Sequence, residues 1–257
     1  MNNTKQVSPG GRVKQKTGVH ENVKDIMKGI MKGAMTALAL YMTAVLPAQA
    51  GVSLLQTRVI YPQSAQSVSV TLHNSGNEVY LVQTQVTDWE TNKPSPLFTV
   101  QPPLFRVEGM SNGTMRVART GGDLPQDRES VFHFRVNAIP SGKAPVQGGA
   151  SLSIALGMGI KLFYRPDGLA MTPGQAYDKL TFSRQGGEVT VKNPTPYYLT
   201  FASLSLGGEA VNLDKSPSML APFSETHYAG AGHDSRAEWV LITDYGGNSD
   251  TYHAQIK

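Results

Sequence analysis

The chain contains no cysteine, which excludes both a disulfide framework and chemistry that depends on a thiolate. It also lacks a Gly-x-x-x-x-Gly-Lys phosphate loop, a Gly-x-Ser-x-Gly nucleophile turn and a His-Glu-x-x-His zinc helix. No apolar run after residue 50 is long enough to cross a bilayer. The sequence therefore predicts no enzyme of these classes, no bound metal or cofactor, and no membrane embedding after residue 50.

The excess of positive charge is confined to the first fifty residues. The formal net charge is +4, but residues 1–50 hold seven of the 23 Lys and Arg residues and two of the 19 Asp and Glu residues. The rest of the chain therefore has 16 basic and 17 acidic residues. Because this balance leaves no basic surface to neutralise phosphates, nucleic acid is not a predicted partner.

A secretory signal is predicted at the end of this basic region. Lys28 and Lys32 precede a short apolar stretch, residues 33–46, and Ala48 and Ala50 then form the Ala-x-Ala pattern of a cleavage site. The stretch is short for a membrane span, although an uncleaved anchor stays an alternative. We expect residues 1–50 to be an N-terminal extension and signal peptide, with cleavage after Ala50 and export of the remainder.

Short strands separated by turn signals dominate the rest of the chain. Residues 52–61 are rich in β-forming side chains and end at Pro62, and similar segments recur on both sides of Pro166. They cover residues 68–72, 79–89, 97–100, 104–107, 114–118, 131–139, 179–183, 188–192, 198–206, 210–213, 224–228, 238–244 and 251–256. This spacing predicts an all-β chain of two sandwich domains, residues 51–165 and residues 166–257.

The segment 150–166, ASLSIALGMGIKLFYRP, combines a strand pattern with an isolated cation, Lys161. Its apolar residues recur at every second position, as on one face of a strand: Leu152, Ile154, Leu156, Met158 and Ile160. This face either belongs to the core or is an exposed edge kept for another chain. Because native proteins usually suppress exposed strand edges, an exposed one would indicate a binding function.

Five short motifs follow one another along residues 51–257: Thr57-Arg58, Leu124 to Ser130 (LPQDRES), Ile160 to Pro166 (IKLFYRP), Asn193 to Tyr198 (NPTPYY) and Asp244 to Gly247 (DYGG). Together they resemble the motifs of the periplasmic pilus chaperones, of which the P-pilus chaperone is the type member. The resemblance implies two immunoglobulin-like β-sandwich domains in an L or boomerang arrangement. It also implies a periplasmic, non-enzymatic chaperone whose partners are pilus subunits and an outer-membrane usher, with self-association of the unloaded chain.

The resemblance also implies which residues bind a subunit. Arg58 and Lys161 correspond to the residues that bind the C-terminal carboxylate of the subunit. Leu152, Ile154 and Leu156 correspond to the side chains of a donor strand, which completes the fold of a subunit that lacks its own last strand.

A third group of residues is implied to fix the two domains to each other. Glu129, Arg165 and Asp244 match positions that form an ionic network between the domains in this family. From the residues alone, two other functions stay open. One is a secreted two-domain adhesin or carbohydrate-binding protein, and the other is a secreted hydrolase of an unfamiliar type.

Overall fold

The period-two patterns of the sequence form strands throughout the described part of the chain. The structure is a computed structural model that describes residues 51–141 and 154–257. Leu152 and the predicted cleavage site after Ala50 lie outside the described residues. Within those two ranges there are seventeen strands and one helix of four residues, and all of them belong to one compact unit.

Nine strands build the first sandwich. They are β1 (Val52–Leu54), β2 (Arg58–Pro62), β3 (Val68–Asn74), β4 (Tyr80–Asp88), β5 (Phe98–Gln101), β6 (Leu104–Val107), β7 (Ser111–Arg119), β8 (Ser130–Pro140) and β9 (Leu156–Arg165). They form one sheet with the order β1-β3-β7-β5 and a second with the order β2-β9-β8-β4-β6. Alternate side chains meet between the sheets, where Leu72, Met115 and Phe134 are fully buried.

The second sandwich has its own core. Its elements are α1 (Pro173–Ala176), β10 (Thr181–Gln185), β11 (Glu188–Asn193), β12 (Leu199–Leu206), β13 (Glu209–Ala210), β14 (Met219–Leu220), β15 (Ser224–Ala229), β16 (Arg236–Ile242) and β17 (Asn248–Gln255). One sheet has the order β10-β11-β15; the other has the order β13-β12-β16-β17, with β14 also paired to β12. Trp239 is at the centre of this core, with its ring 4.9 Å from that of Phe182. The prediction of an all-β chain with two sandwich domains is confirmed.

The prediction of one strand over residues 52–61 was wrong. The strand is interrupted after Leu54. The first part, β1, pairs with β3 in one sheet, and the second part, β2, pairs with β9 in the other. The side chain of Gln56 replaces ladder bonds at the break: it donates to the Ser69 oxygen and accepts from the Thr71 amide, both at 3.0 Å. The sequence did contain a signal, since the buried positions change from even numbers before the break to odd numbers after it.

A buried asparagine organises an equivalent turn in each sandwich. The amide of Asn74 donates to the backbone oxygen four positions later at 2.7 Å, and its oxygen accepts from the backbone nitrogen two positions later at 3.1 Å. Asn193 repeats both bonds, at 2.8 Å and 3.0 Å. Each amide also donates to a distant strand end, Glu108 in the first domain and Ala221 in the second. Because both side chains are fully buried, no water replaces these bonds.

We expect Asn193→Ala to lower the free energy of unfolding by about 2–4 kcal/mol, since it leaves several buried backbone groups without partners. Urea unfolding followed by tryptophan fluorescence measures this change. Asn212→Ala is the control, because the exposed Asn212 accepts one backbone bond, from Asp214 at 3.0 Å. Equal losses for the two variants would contradict the role assigned to the buried turn.

Candidate functional site

Two cations lie side by side where the first sandwich faces the second. The parallel pairing of β2 with β9 places Arg58 opposite Lys161. The neighbouring Val59 is buried in the core, so Arg58 points to the other face of the sheet. Burial, and to a smaller extent the charge of Arg58, lowers the pKa of Lys161. Burial also lowers the pKa of Arg58, an effect that the charge of Asp244 partly offsets.

The pair has unused capacity to bind an anion. Arg58 donates from Nη1 to the Ile242 oxygen at 2.9 Å, but its buried Nε has no hydrogen-bond partner in the described ranges. The side-chain ammonium of Lys161 makes no hydrogen bond or ion pair with any residue that the structure describes. Two adjacent cations with free donors are suited to a carboxylate, since charge-assisted bonds are the stronger kind.

The strand that carries Lys161 is paired on both sides over only half of its length. β8 pairs with β9 over residues 156–164, whereas β2 pairs with its other edge only over residues 161–165. Among the described strands, none pairs with that second edge over residues 156–160. The backbone groups on this edge are free for another strand.

The apolar face of β9 passes from the core into solvent. Leu162 is fully buried and Met158 and Ile160 are partly buried against the core, but Leu156 is 36% exposed and Ile154 is 64% exposed. The strand is also shorter than the pattern predicts, because Ile154 and Ala155 are described but precede its first residue. Ile154 therefore lies just before the strand, next to the open edge.

Arg165 bonds to one carboxylate from each sandwich. Its Nε donates to Glu129 Oε1 at 2.8 Å, while Nη1 and Nη2 donate to the two oxygens of Asp244 at 2.7 Å and 2.8 Å. Glu129 immediately precedes β8, and Asp244 follows β16. The Tyr197 ring covers the guanidinium at 5.1 Å. The structure thus brings together the three residues singled out for an inter-domain network.

Backbone hydrogen bonds also connect the two sandwiches at this network of Glu129, Arg165 and Asp244, which we call the joint. The sequence did not predict these bonds. The Glu129 nitrogen donates to the Pro196 oxygen at 2.9 Å, and its carboxylate accepts from the Tyr198 nitrogen at 2.9 Å. Every residue type except proline offers the same donor and acceptor, so no side-chain pattern marks such partners. The segment Asn193 to Tyr198, which supplies these backbone partners, stands out in the sequence only as one of the family motifs.

The surroundings of Glu129 in the joint shift its pKa. Burial raises the pKa of Glu129 to about 6, and the Arg165 charge and the Tyr198 amide only partly offset this effect. For Arg165, burial lowers the pKa, but the bonds to Asp244 and the charge of Glu129 raise it by more. Arg165 therefore stays charged, and Glu129 is the group that titrates near neutral pH.

The fold and this geometry define a two-sandwich protein with an open strand edge that ends at a pair of cations. Residues 51–170 match the family model described as "Pili and flagellar-assembly chaperone, PapD N-terminal domain". Residues 175–253 match "Pili assembly chaperone PapD, C-terminal domain". The chain belongs to this family of pilus assembly chaperones.

Individual relatives agree with the family model. Chaperone protein FimC of Escherichia coli is 39% identical over 203 residues, which cover 77% of this chain and 82% of that protein. MyfB of Yersinia enterocolitica is 34% identical over 221 residues, 78% of this chain and 82% of that protein. The solved E. coli chaperone DraB is 35% identical with a TM-score of 0.71, over 80% of this chain and 96% of that chain.

A solved complex is also similar: the Salmonella enterica pilin SafA with the chaperone SafB. The match has a TM-score of 0.72 at 33% identity, over 80% of this chain and 96% of the matched chain. The prediction of a non-enzymatic pilus assembly chaperone is confirmed by these relatives, and the alternatives of an adhesin or a hydrolase are set aside. Within residues 51–141 and 154–257, no helix has the length and hydropathy to cross a membrane.

Glu129→Gln should change how stability depends on pH. The pKa of Glu129 is higher in the folded state than the ordinary 4.5, so the stability it contributes is present below pH 4.5 and is lost as pH rises through about 6. Relative to Glu129→Gln, the free energy of unfolding of the wild type should fall by about 2 kcal/mol as pH rises from 4.5 to about 6.

Urea unfolding at a series of pH values gives this difference. Glu188→Gln, which removes an exposed carboxylate from the β10–β11 hairpin, is the control. A constant difference between wild type and Glu129→Gln across the range would show that the pKa of Glu129 is not raised.

Proposed function

We propose that this chain is a periplasmic chaperone that binds a pilus subunit by lending it the exposed part of β9. Strand addition of this kind is already known from chaperone–pilin complexes. The observation that carries the proposal is that the open edge over residues 156–160 ends at Arg58 and Lys161. A strand with a free backbone edge and a cation pair at one end fits a chain that ends in a carboxylate.

The position of β2 determines the direction of the incoming strand. β2 occupies the same edge of β9, begins at Arg58 and runs parallel to β9. A subunit strand paired to residues 156–160 would lie in line with β2, with one of its ends next to Arg58. For that end to be the carboxyl terminus, the subunit strand must run parallel to β9. Ile154 and Leu156 would then enter the apolar groove of the subunit, together with Leu152.

The side chains that remain exposed contribute only part of the binding energy. Full burial of one Leu or Ile side chain contributes about 1.5–3 kcal/mol, and Leu156, which is 36% exposed in the free protein, gains only part of this. Association costs about 4–15 kcal/mol. Backbone hydrogen bonds along β9, about 0.5–1.5 kcal/mol each, and bonds to the carboxylate must supply the rest. The carboxylate also sets the register, because a shift by one residue would turn the apolar face away from the groove.

The remaining expectations belong to the same proposal. Residues 1–50 are an N-terminal extension and signal peptide cleaved after Ala50, and the domains cover residues 51–165 and 166–257. The loaded chaperone delivers its subunit to an outer-membrane usher, and the unloaded chain self-associates through its open edge. The separate cores of the two sandwiches support these domain limits.

Arg58→Ala and Lys161→Ala should each abolish co-purification of a pilus subunit that the wild-type chain retains, since each removes a bond to the carboxylate. Both variants should keep the circular dichroism spectrum of the wild type. Lys192→Ala, which removes an exposed lysine from β11, is the control and should retain the subunit. Normal recovery of the subunit with both variants would rule out the carboxylate site.

Ile154→Glu should prevent subunit binding and leave the melting temperature unchanged, because this side chain is 64% exposed in the free protein. Pull-down and thermal unfolding of the same preparation measure both effects. Met110→Glu is the matched control, since Met110 is 69% exposed and lies in the turn between β6 and β7. A large loss of stability in Ile154→Glu would place that side chain in the core of the chaperone itself.

A further inference from the structure

An open cavity of about 460 Å³ has Arg58 in its wall. Leu55 and Ile60 form apolar parts of its wall, and Tyr245 from the second sandwich lines it as well. The carboxylate mechanism uses only Arg58 of these residues. A cation beside apolar and aromatic surface matches the end of a polypeptide, which carries a carboxylate and a side chain on the same residue.

Tyr245 is fully exposed, yet it stands on a well-defined turn. The Thr243 nitrogen donates to the Gly247 oxygen at 2.8 Å, and the Gly246 nitrogen donates to the Thr243 oxygen at 2.9 Å. Gly246 has φ +83° and packs so closely on Thr57, the residue before Arg58, that a Cβ would collide with the threonine hydroxyl. The turn therefore holds an aromatic ring beside the cation site.

The charge of the acid in the cavity wall is partly offset. Asp244 is bonded through both oxygens to Arg165, which offsets its charge. Among the described residues the Arg58 side chain donates one hydrogen bond, to the backbone oxygen of Ile242, and this bond does not neutralise its positive charge. The electrostatic field of the cavity thus favours an anion at the Arg58 end, and its other walls favour an apolar group.

We propose that this cavity receives the side chain of the last residue of the bound chain, and that Tyr245 makes it select large apolar or aromatic side chains. The inference rests on the proposed function, because the carboxylate must be held at Arg58 for that side chain to reach the cavity. Tyr245 then determines which subunit termini bind well, whereas the cation pair binds any free carboxylate.

The test uses the full chain and short fluorescein-labelled peptides of alternating valine and threonine that end in phenylalanine or in glycine. Fluorescence anisotropy gives their dissociation constants. We expect the wild type to bind the phenylalanine-ended peptide about tenfold more tightly, as burial of one ring allows. Tyr245→Ala should remove this preference and leave the affinity for the glycine-ended peptide unchanged. Tyr245→Phe should keep the preference.

Two controls separate this inference from the function on which it rests. Phe223→Ala, which removes an aromatic side chain that is 46% exposed elsewhere in the second sandwich, should keep the preference. Amidation of the peptide carboxylate should weaken binding to wild type and to Tyr245→Ala alike. If amidation matters but Tyr245→Ala keeps the preference, the selecting role of Tyr245 is wrong and the carboxylate site stands. If amidation has no effect, or no peptide binds, both proposals fail.

Discussion

The unpaired backbone edge of residues 156–160 is the constraint on which the rest of this structure depends. Backbone donors and acceptors are strong groups that proteins pair wherever they exclude water, and exposed strand edges invite unwanted pairing. Here β2 covers the same edge of β9 from residue 161 onward, so the change from free to paired backbone falls at Arg58 and Lys161. A strand added along residues 156–160 would therefore end where β2 begins. The positive charges of Arg58 and Lys161 at that point suit a terminal carboxylate.

The anion site and the joint between the sandwiches share one short segment of chain. Arg58 bonds to the backbone oxygen of Ile242, and Arg165 bonds to Asp244 two residues later. Buried ionic networks add little net stability but can fix one geometry among several. In this chain the network lies two residues from Ile242, which accepts the bond from the Arg58 guanidinium, so the proposed carboxylate site depends on how the domains are joined. The raised pKa of Glu129 makes the stability of that joint depend on pH, with the contribution of Glu129 lost as pH rises through about 6.

The sequence was sufficient to predict two sandwiches of short strands, because alternation and turn signals are local, and its family motifs singled out the residues that the structure brings together around Arg165. It was insufficient at the break after Leu54, where the choice between two sheets depends on which distant strand each half meets. It was also insufficient for bonds such as that from the Glu129 nitrogen to the Pro196 oxygen, since backbone groups are the same in nearly every residue. The equivalent turns at Asn74 and Asn193 show a likeness between the domains that is not evident from their sequences.

Hydrogen exchange along β9 tests the central claim most directly. In the free protein, the amides that face the open edge of residues 156–160 should exchange quickly, while those of residues 161–165 on the same edge should be protected by β2. Binding of a pilus subunit should protect the first group strongly and leave the strands of the second sandwich unchanged. If subunit binding leaves exchange at residues 156–160 unaltered, the chaperone does not lend this strand.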